Sequence, residues 1–164
     1  MSEVDVSQIV DLLERKELDV WVDGGWGVDA LLQETTRPHR DLDLVVRIDQ
    51  VEIVRAALTT AGFDRVLRDW LPVALAIADD AGREIDLHPV SRTDDGGGDQ
   101  ALPDGGSFHY PPPTTGIIGG RVVRCVDLMT QVNSHVGYEP TDKDRADLHL
   151  LERRFGIDLP DSYR

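Results

Sequence analysis

The chain has 164 residues, 40% of them apolar and 29% charged, with 17 basic against 31 acidic side chains and a net charge of −14. That length suits one domain with a real core. The charge argues against nucleic acid as a partner, because phosphates would be repelled, and it is compatible with a small cationic substrate or simply with solubility.

The single cysteine, Cys125, excludes an internal disulfide and a thiolate metal site. It sits in an apolar run and reads as a small core residue. No run approaches the roughly 18 apolar residues that span a bilayer. The start Met1-Ser2-Glu3-Val4-Asp5 lacks the basic and apolar regions of a signal peptide, so no membrane partner and a cytoplasmic location are expected.

Val6, Ile9, Val10 and Leu13 recur at helical spacing, with Asp5 as the expected cap. Residues 18–23 read as a strand through Val20, Trp21 and Val22. Gly24-Gly25 ends it, and 26–33 reads as a helix with Val28, Leu31 and Leu32 on one side. A polar loop with Pro38 leads to a strand over 41–48, where Leu42, Leu44 and Val46 face one way and Asp41, Asp43 and Val45 the other. Asp49 and Glu52 have capping-box spacing for the next helix, whose buried stripe is Ile53, Val54, Ala57 and Leu58 and whose C′ residue is Gly62.

Strands are expected over 63–68, 73–78 and 83–90, the last two joined by the turn Asp79-Asp80-Ala81-Gly82. The Gly- and Asp-rich stretch 91–107 reads as a surface loop, and Pro111-Pro112-Pro113 stiffens the chain beyond it. A strand over 121–126 precedes two helices. One is capped by Asp127 and carries Leu128, Met129, Val132 and His135; the other is capped by Thr141, with Ala146, Leu148 and Leu151 buried. The chain is read as one domain over 1–164, a catalytic core to about 126 and a helical part from about 127.

Two features carry chemistry. Asp41 and Asp43 stand at i and i+2 on a strand, so both point to one face, roughly 6.5 Å apart at Cα, and can converge on Mg²⁺. Asp86 lies between Ile85 and Leu87 in the same pattern; on a neighbouring strand it would reach the same ions. Three carboxylates at one point repel each other unless a cation is present. Gly24-Gly25, between a strand end and a helix start, offers backbone N–H groups and a helix dipole to an anion. Its spacing is neither that of a P-loop nor G-x-G-x-x-G. Together these features suggest a nucleoside triphosphate.

The segments Asp23-Gly24-Gly25-Trp26-Gly27-Val28-Asp29-Ala30, Thr36-Arg37, His39-x-Asp41-Leu42-Asp43-Leu44, Glu84-Ile85-Asp86-Leu87-His88, Gln131, His135-x-Gly137-Tyr138 and Lys143-Asp144-x-x-Asp147 resemble the aminoglycoside 2″-adenylyltransferases and small lincosamide nucleotidyltransferases, of the DNA polymerase β-type superfamily. The resemblance implies an α/β (α+β) fold: a polymerase β-type core with a mixed twisted sheet, helices on one face and a small helical C-terminal part. It implies transfer of a nucleoside monophosphate, AMP from ATP, to a hydroxyl of a small cationic acceptor such as an antibiotic, with release of pyrophosphate. Asp41 and Asp43 match the Mg²⁺ pair. Asp86 matches the third acid, as metal ligand or general base, and Gly24 and Gly25 match the triphosphate turn.

His39 is read either as a phosphate contact or as shaping its loop. Lys143 is read as a point charge for the triphosphate. His135 and Tyr138 stay open between nucleotide contact and packing. Arg40 stands where several relatives carry an acid, and local pairing is favoured. Asp94, Asp95, Asp99 and Asp104 either border the acceptor or are solvated. His88, His109 and His149 show no metal-ligand spacing. A homodimer is compatible with the sequence. The competing readings are a nucleotide-binding protein or a toxin–antitoxin-type nucleotidyltransferase without antibiotic-modifying activity.

Overall fold

The computed structural model describes residues 1–163. Among these, the chain runs α1 (Glu3–Glu14), β1 (Val20–Asp23), α2 (Gly24–Leu32), β2 (Asp41–Arg47), α3 (Val51–Thr60), β3 (Arg65–Trp70), β4 (Ala74–Ala78), β5 (Glu84–Arg92), β6 (Gly98–Ala101), β7 (Ser107–Tyr110), β8 (Thr114–Ile118), β9 (Arg121–Cys125), α4 (Leu128–Asn133) and α5 (Asp142–Phe155). No helix among the described residues is long and apolar enough to cross a membrane.

The sheet is mixed, in the order β3-β4-β5-β2-β1-β9-β8, with a β6–β7 hairpin attached to β5. Alternation along the strands decides its two faces. Leu42, Leu44 and Val46 of β2, with Leu75, Ile77, Ile85 and Leu87, turn to one side and pack under α1, α2 and α3 through Val6, Ile9, Val10, Leu13, Trp26, Val54 and Leu58. The other side carries a smaller apolar cluster, Trp21, Val45, Val90, Tyr110 and Val126, and its acids. The helical C-terminal part packs on α2, joining Val28 to Val132, Leu148 and Leu151. Cys125 is fully buried, and burial pushes its thiol up to about 12, as suits an inert core residue.

Several local expectations need correction. The cap of α1 is Ser2, which forms a capping box with Asp5 at the third helical position. Asp49 caps nothing. It pairs with Arg47 inside a 3-10 turn, and α3 starts two residues later from Gln50 without a side-chain cap. Ile53 is 56% exposed, and Val51 takes its place in the buried stripe. In α5 the exposed Ala146 yields the buried position to Asp147.

The largest correction is 91–107. β5 continues to Arg92, and the hairpin of β6 and β7 follows, registered Gly98↔Tyr110 to Ala101↔Ser107. Gly98 admits no side chain, since a Cβ there would stand 2.6 Å from Val90 Cγ2. Gly97 and Gly98 are thus requirements of close strand packing, while Gly96 and Gly105 serve the turns at positive φ. The turn 79–82 and the Asp127 and Thr141 caps are as expected.

Candidate active site

Strand register aligns the acids. β1 and β2 are antiparallel with Asp23 opposite Asp43, and β2 and β5 are parallel with Asp43 opposite Asp86. The row extends through Ala76 of β4 to Arg68 of β3. Three carboxylates therefore stand abreast on adjacent strands, about 4.8 Å apart by strand spacing, with Asp41 two positions along β2 from Asp43. Because Ala76 is small, Arg68 reaches across it to Asp86 (3.2 Å). Burial, then the neighbouring charge of Asp43, raises the Asp86 carboxyl above its ordinary value.

Asp23 is 6% exposed and accepts hydrogen bonds from Tyr110 Oη (3.1 Å) and Gln131 Nε2 (3.0 Å). Burial raises its pKa. His88 contacts Asp43 Oδ1 through Nε2 (3.2 Å). Its Nδ1 lies 3.2 Å from Gln100 Nε2, and Gln100 in turn donates to Val73 O (2.9 Å) and places its Oε1 3.3 Å from Tyr110 Oη. An open chain of contacts, Asp43–His88–Gln100–Tyr110–Asp23, thus ties the hairpin to the row. Burial works to lower the His88 pKa, but the Asp43 hydrogen bond and the charges of Asp43, Asp23 and Asp86 outweigh it, and the net shift is upward.

The glycine turn abuts these acids. Gly24 has φ +56°, and a Cβ there would overlap Asp43 Oδ2. At Gly25 a Cβ would lie 2.5 Å from His39 Nδ1 and 2.7 Å from an Arg37 guanidinium nitrogen, and at Gly27 it would overlap Gln131 Nε2. The turn is itself the first turn of α2, which starts two residues earlier than expected, and Asp23 makes no side-chain capping bond to it. No acid of α2 lies in that first turn, which leaves a helix N-terminus suited to an anion.

Asp23, Gly24, Asp43, His88, Gln100, Leu102, Phe108, Tyr110, Ser134, His135 and Tyr138 line a cleft of about 450 Å³. On its other side Asp86 borders a depression of about 700 Å³ with Arg40, Leu67, Arg68, Asp69, Trp70, Ala76 and Glu84. The two β2 acids and Asp86 share one face, as their spacing requires, but Asp43 is turned to His88 and Asp86 to Arg68. Among the described residues no three His, Cys, Asp or Glu side chains are drawn together tightly enough to hold an ion.

His39 is 4% exposed, bonded to Asp29 Oδ2 (2.5 Å) and packed at 4.6 Å on Trp26, with its other ring nitrogen toward Gly25. Lys143 is exposed on the first turn of α5 and does not line the cleft. His135 and Tyr138 do. Arg40 pairs with Glu84. Of the acidic stretch, Asp95 and Asp99 bind His109 (3.0 and 2.7 Å).

Asp23 and His88 were missed as site residues, yet both had a signal. His88 follows Asp86 by two, the same spacing that pairs Asp41 with Asp43. Gln100 had none, because it lies in the stretch read as loop, and Tyr110 falls just beyond that stretch, where the sequence marks no element.

This mixed sheet, with a glycine turn laid against a strand-borne aspartate pair, is the polymerase β-type nucleotidyltransferase fold, and the chain is a nucleotidyltransferase. Among solved structures, a lincomycin-bound lincosamide antibiotic adenylyltransferase, LnuA, superposes with a TM-score of 0.82 at 29% identity, over 93% of this chain and 97% of the other. The chain belongs to the aminoglycoside-2″-adenylyltransferase family, which it matches over residues 5–151. A lincosamide resistance protein of Staphylococcus haemolyticus is 29% identical over 93% of this chain and 95% of its own length. A 2″-aminoglycoside nucleotidyltransferase of Klebsiella pneumoniae is 31% identical over 73% of this chain and 64% of its own. The fold is also that of ANT(2″)-Ia in complex with adenylyl-2″-tobramycin, with a TM-score of 0.73 at 20% identity, over 94% of this chain and 89% of the other.

Proposed function

We propose that this protein is an Mg²⁺-dependent enzyme that transfers AMP from ATP to a hydroxyl of a small amine-bearing antibiotic, of lincosamide or aminoglycoside type, and releases pyrophosphate. The observation that carries the reading is the Asp23–Asp43–Asp86 row beside Gly24. Carboxylates abreast at strand spacing supply hard oxygen donors that suit Mg²⁺. Asp41 and Asp43 would hold it once Asp43 turns from His88, with Asp86 as third ligand or as base. When bound, the ion would neutralise charge on the triphosphate.

In this reading the Gly24-Gly25 turn takes the phosphates on its N–H groups. His39 braces that turn from beneath, and Lys143 adds positive charge at the start of α5. Asp86 accepts the proton of the attacking hydroxyl. The cleft floor, with its chain of polar contacts, holds Asp23 and Asp43 in fixed positions.

The depression beside Asp86 supports the acceptor's place. Its arginines are each paired, Arg40 with Glu84 and Arg68 with Asp86, and Asp69 is paired with Arg55 (3.6 Å). A lining so balanced, beside a Trp70 that is 61% exposed, suits an acceptor with one amine and apolar groups better than a polycation. Lincosamides are of that kind.

The test is incubation of the full chain with radiolabelled ATP, Mg²⁺ and a panel of lincosamides and aminoglycosides. Label should pass to at least one acceptor, and transfer should vanish with a chelator and in Asp41→Ala. Absence of transfer to every acceptor would overturn the reading.

A further inference from the structure

Arg37 is a cation with an unusual seat. It lies in the loop between α2 and β2, is 25% exposed, and meets a carboxylate 110 residues away: its Nε donates to Asp147 Oδ1 (3.0 Å) and one terminal nitrogen to Asp147 Oδ2 (2.6 Å). Asp147 is 4% exposed in the middle of α5. A guanidinium has five N–H donors on a rigid plane. This side-on pairing uses two and leaves the edge between the two terminal nitrogens, whose remaining protein contact is a long one to Pro38 O (3.5 Å).

The terminal nitrogen shared with Asp147 is the atom 2.7 Å from where a Gly25 Cβ would stand. A side chain at Gly25 would force it to shift. The guanidinium therefore lies beside the backbone turn that the nucleotide reading gives to phosphate.

We infer that Arg37 contacts the pyrophosphate end of the nucleotide and that Asp147 acts through it as a positioning residue; the inference rests on the nucleotidyl-transfer reading above. A Cβ at Gly24 would meet Asp43 and one at Gly25 would meet Arg37, so the turn stands between the carboxylate row and the guanidinium. The group at Arg37 is thus beyond the phosphorus under attack. In the transfer, the acceptor oxygen forms a bond to the α-phosphorus and its proton passes to a carboxylate. The α–β phosphoanhydride bond breaks, and its electron pair leaves on the pyrophosphate oxygen. Charge grows on the leaving group as that bond breaks, where a guanidinium fork binds most strongly. The buried carboxylate keeps the fork in that orientation before substrate arrives.

Inorganic pyrophosphate is the probe, used with the full chain as a product inhibitor and by calorimetry in the presence of Mg²⁺. Arg37→Gln is expected to weaken pyrophosphate binding and raise KM for ATP about tenfold or more, with acceptor KM within twofold. Arg37→Lys, which keeps charge but lacks the planar fork that grips the carboxylate bidentately, should fall between Arg37→Gln and wild type, as should Asp147→Asn. A purely structural ion pair would lower the melting temperature and leave pyrophosphate affinity and the ATP-to-acceptor KM ratio unmoved; that result in any folded variant overturns the inference. Should Arg37→Gln not fold, Arg37→Lys decides on the same readouts. If wild type binds neither ATP nor pyrophosphate, the functional reading falls and this inference with it. Equal affinity in wild type and Arg37→Gln removes the inference alone.

Discussion

Gly24 lies against Asp43 with no room between them: a Cβ on the glycine would overlap Asp43 Oδ2 and stand 3.2 Å from Asp43 Cβ, on backbone already at φ +56°. Alanine there is strained twice, by its left-handed conformation and by the clash. Relief must come from Asp43, since the turn is fixed by β1 and α2. Gly24→Ala is expected to lower kcat/KM at least a hundredfold, more than its loss of stability explains. Steady-state kinetics alongside a thermal melt checks this: a variant that melts within a few degrees of wild type yet transfers at wild-type rate would contradict it.

Asp43 and Asp86 stand opposite each other on β2 and β5, but their tasks differ in the proposed reaction. Asp43→Asn should abolish Mg²⁺-dependent ATP binding as well as turnover. Asp86→Asn should reduce kcat by about 10²–10⁴, the usual worth of a general base, while KM for ATP stays within threefold. Calorimetry of ATP with Mg²⁺ separates the two variants. Loss of nucleotide binding in Asp86→Asn would make it a nucleotide-metal ligand instead of the base.

The acids and the turn were legible because strand period and glycine punctuation are local properties. Asp41, Asp43 and Asp86 each alternate with buried leucine or isoleucine, so their shared face follows from the pleat alone. The features that escaped depended on partners distant in sequence. Tyr110 and Gln100 reach the site only because β6 and β7 pair, and β6 reads Gly-Asp-Gln-Ala, a composition that propensity assigns to a loop. Likewise Asp49 has good capping spacing but is taken by Arg47, and Asp147 replaces Ala146 inside because Arg37 awaits it there. Tertiary pairing overrode local preference in each case.

Asp23 accepts from two donors of different elements, Tyr110 of β7 and Gln131 of α4, and removing either takes a hydrogen bond from a buried carboxylate. Tyr110→Phe is expected to destabilise the protein by about 1–3 kcal/mol. Gln131→Leu should cost a similar amount. Because both act on one carboxylate, the double variant should depart from additivity, and adding Asp23→Asn should recover part of the loss. Denaturant unfolding of the set measures this; strict additivity would mean that the two donors are independent.

The turn between β4 and β5 predicts a pH dependence. Asp79 accepts from the Arg83 backbone N–H (2.9 Å) and Nε (2.6 Å), and Arg83 reaches on to Asp5. Burial alone would raise the Asp79 carboxyl, but the Arg83 hydrogen bonds and charge outweigh it and hold it below its ordinary value. The unfolded chain therefore takes up a proton at a higher pH than the folded one. The stabilisation is fully present above the ordinary carboxylate range and is lost as pH falls from that range through the depressed folded value. Asp79→Asn should lower stability near neutrality by about 1–3 kcal/mol and flatten the acid limb, so that the wild-type and variant curves converge at low pH. Melting temperatures across the acid range test it: parallel curves would place the acid sensitivity in other carboxylates.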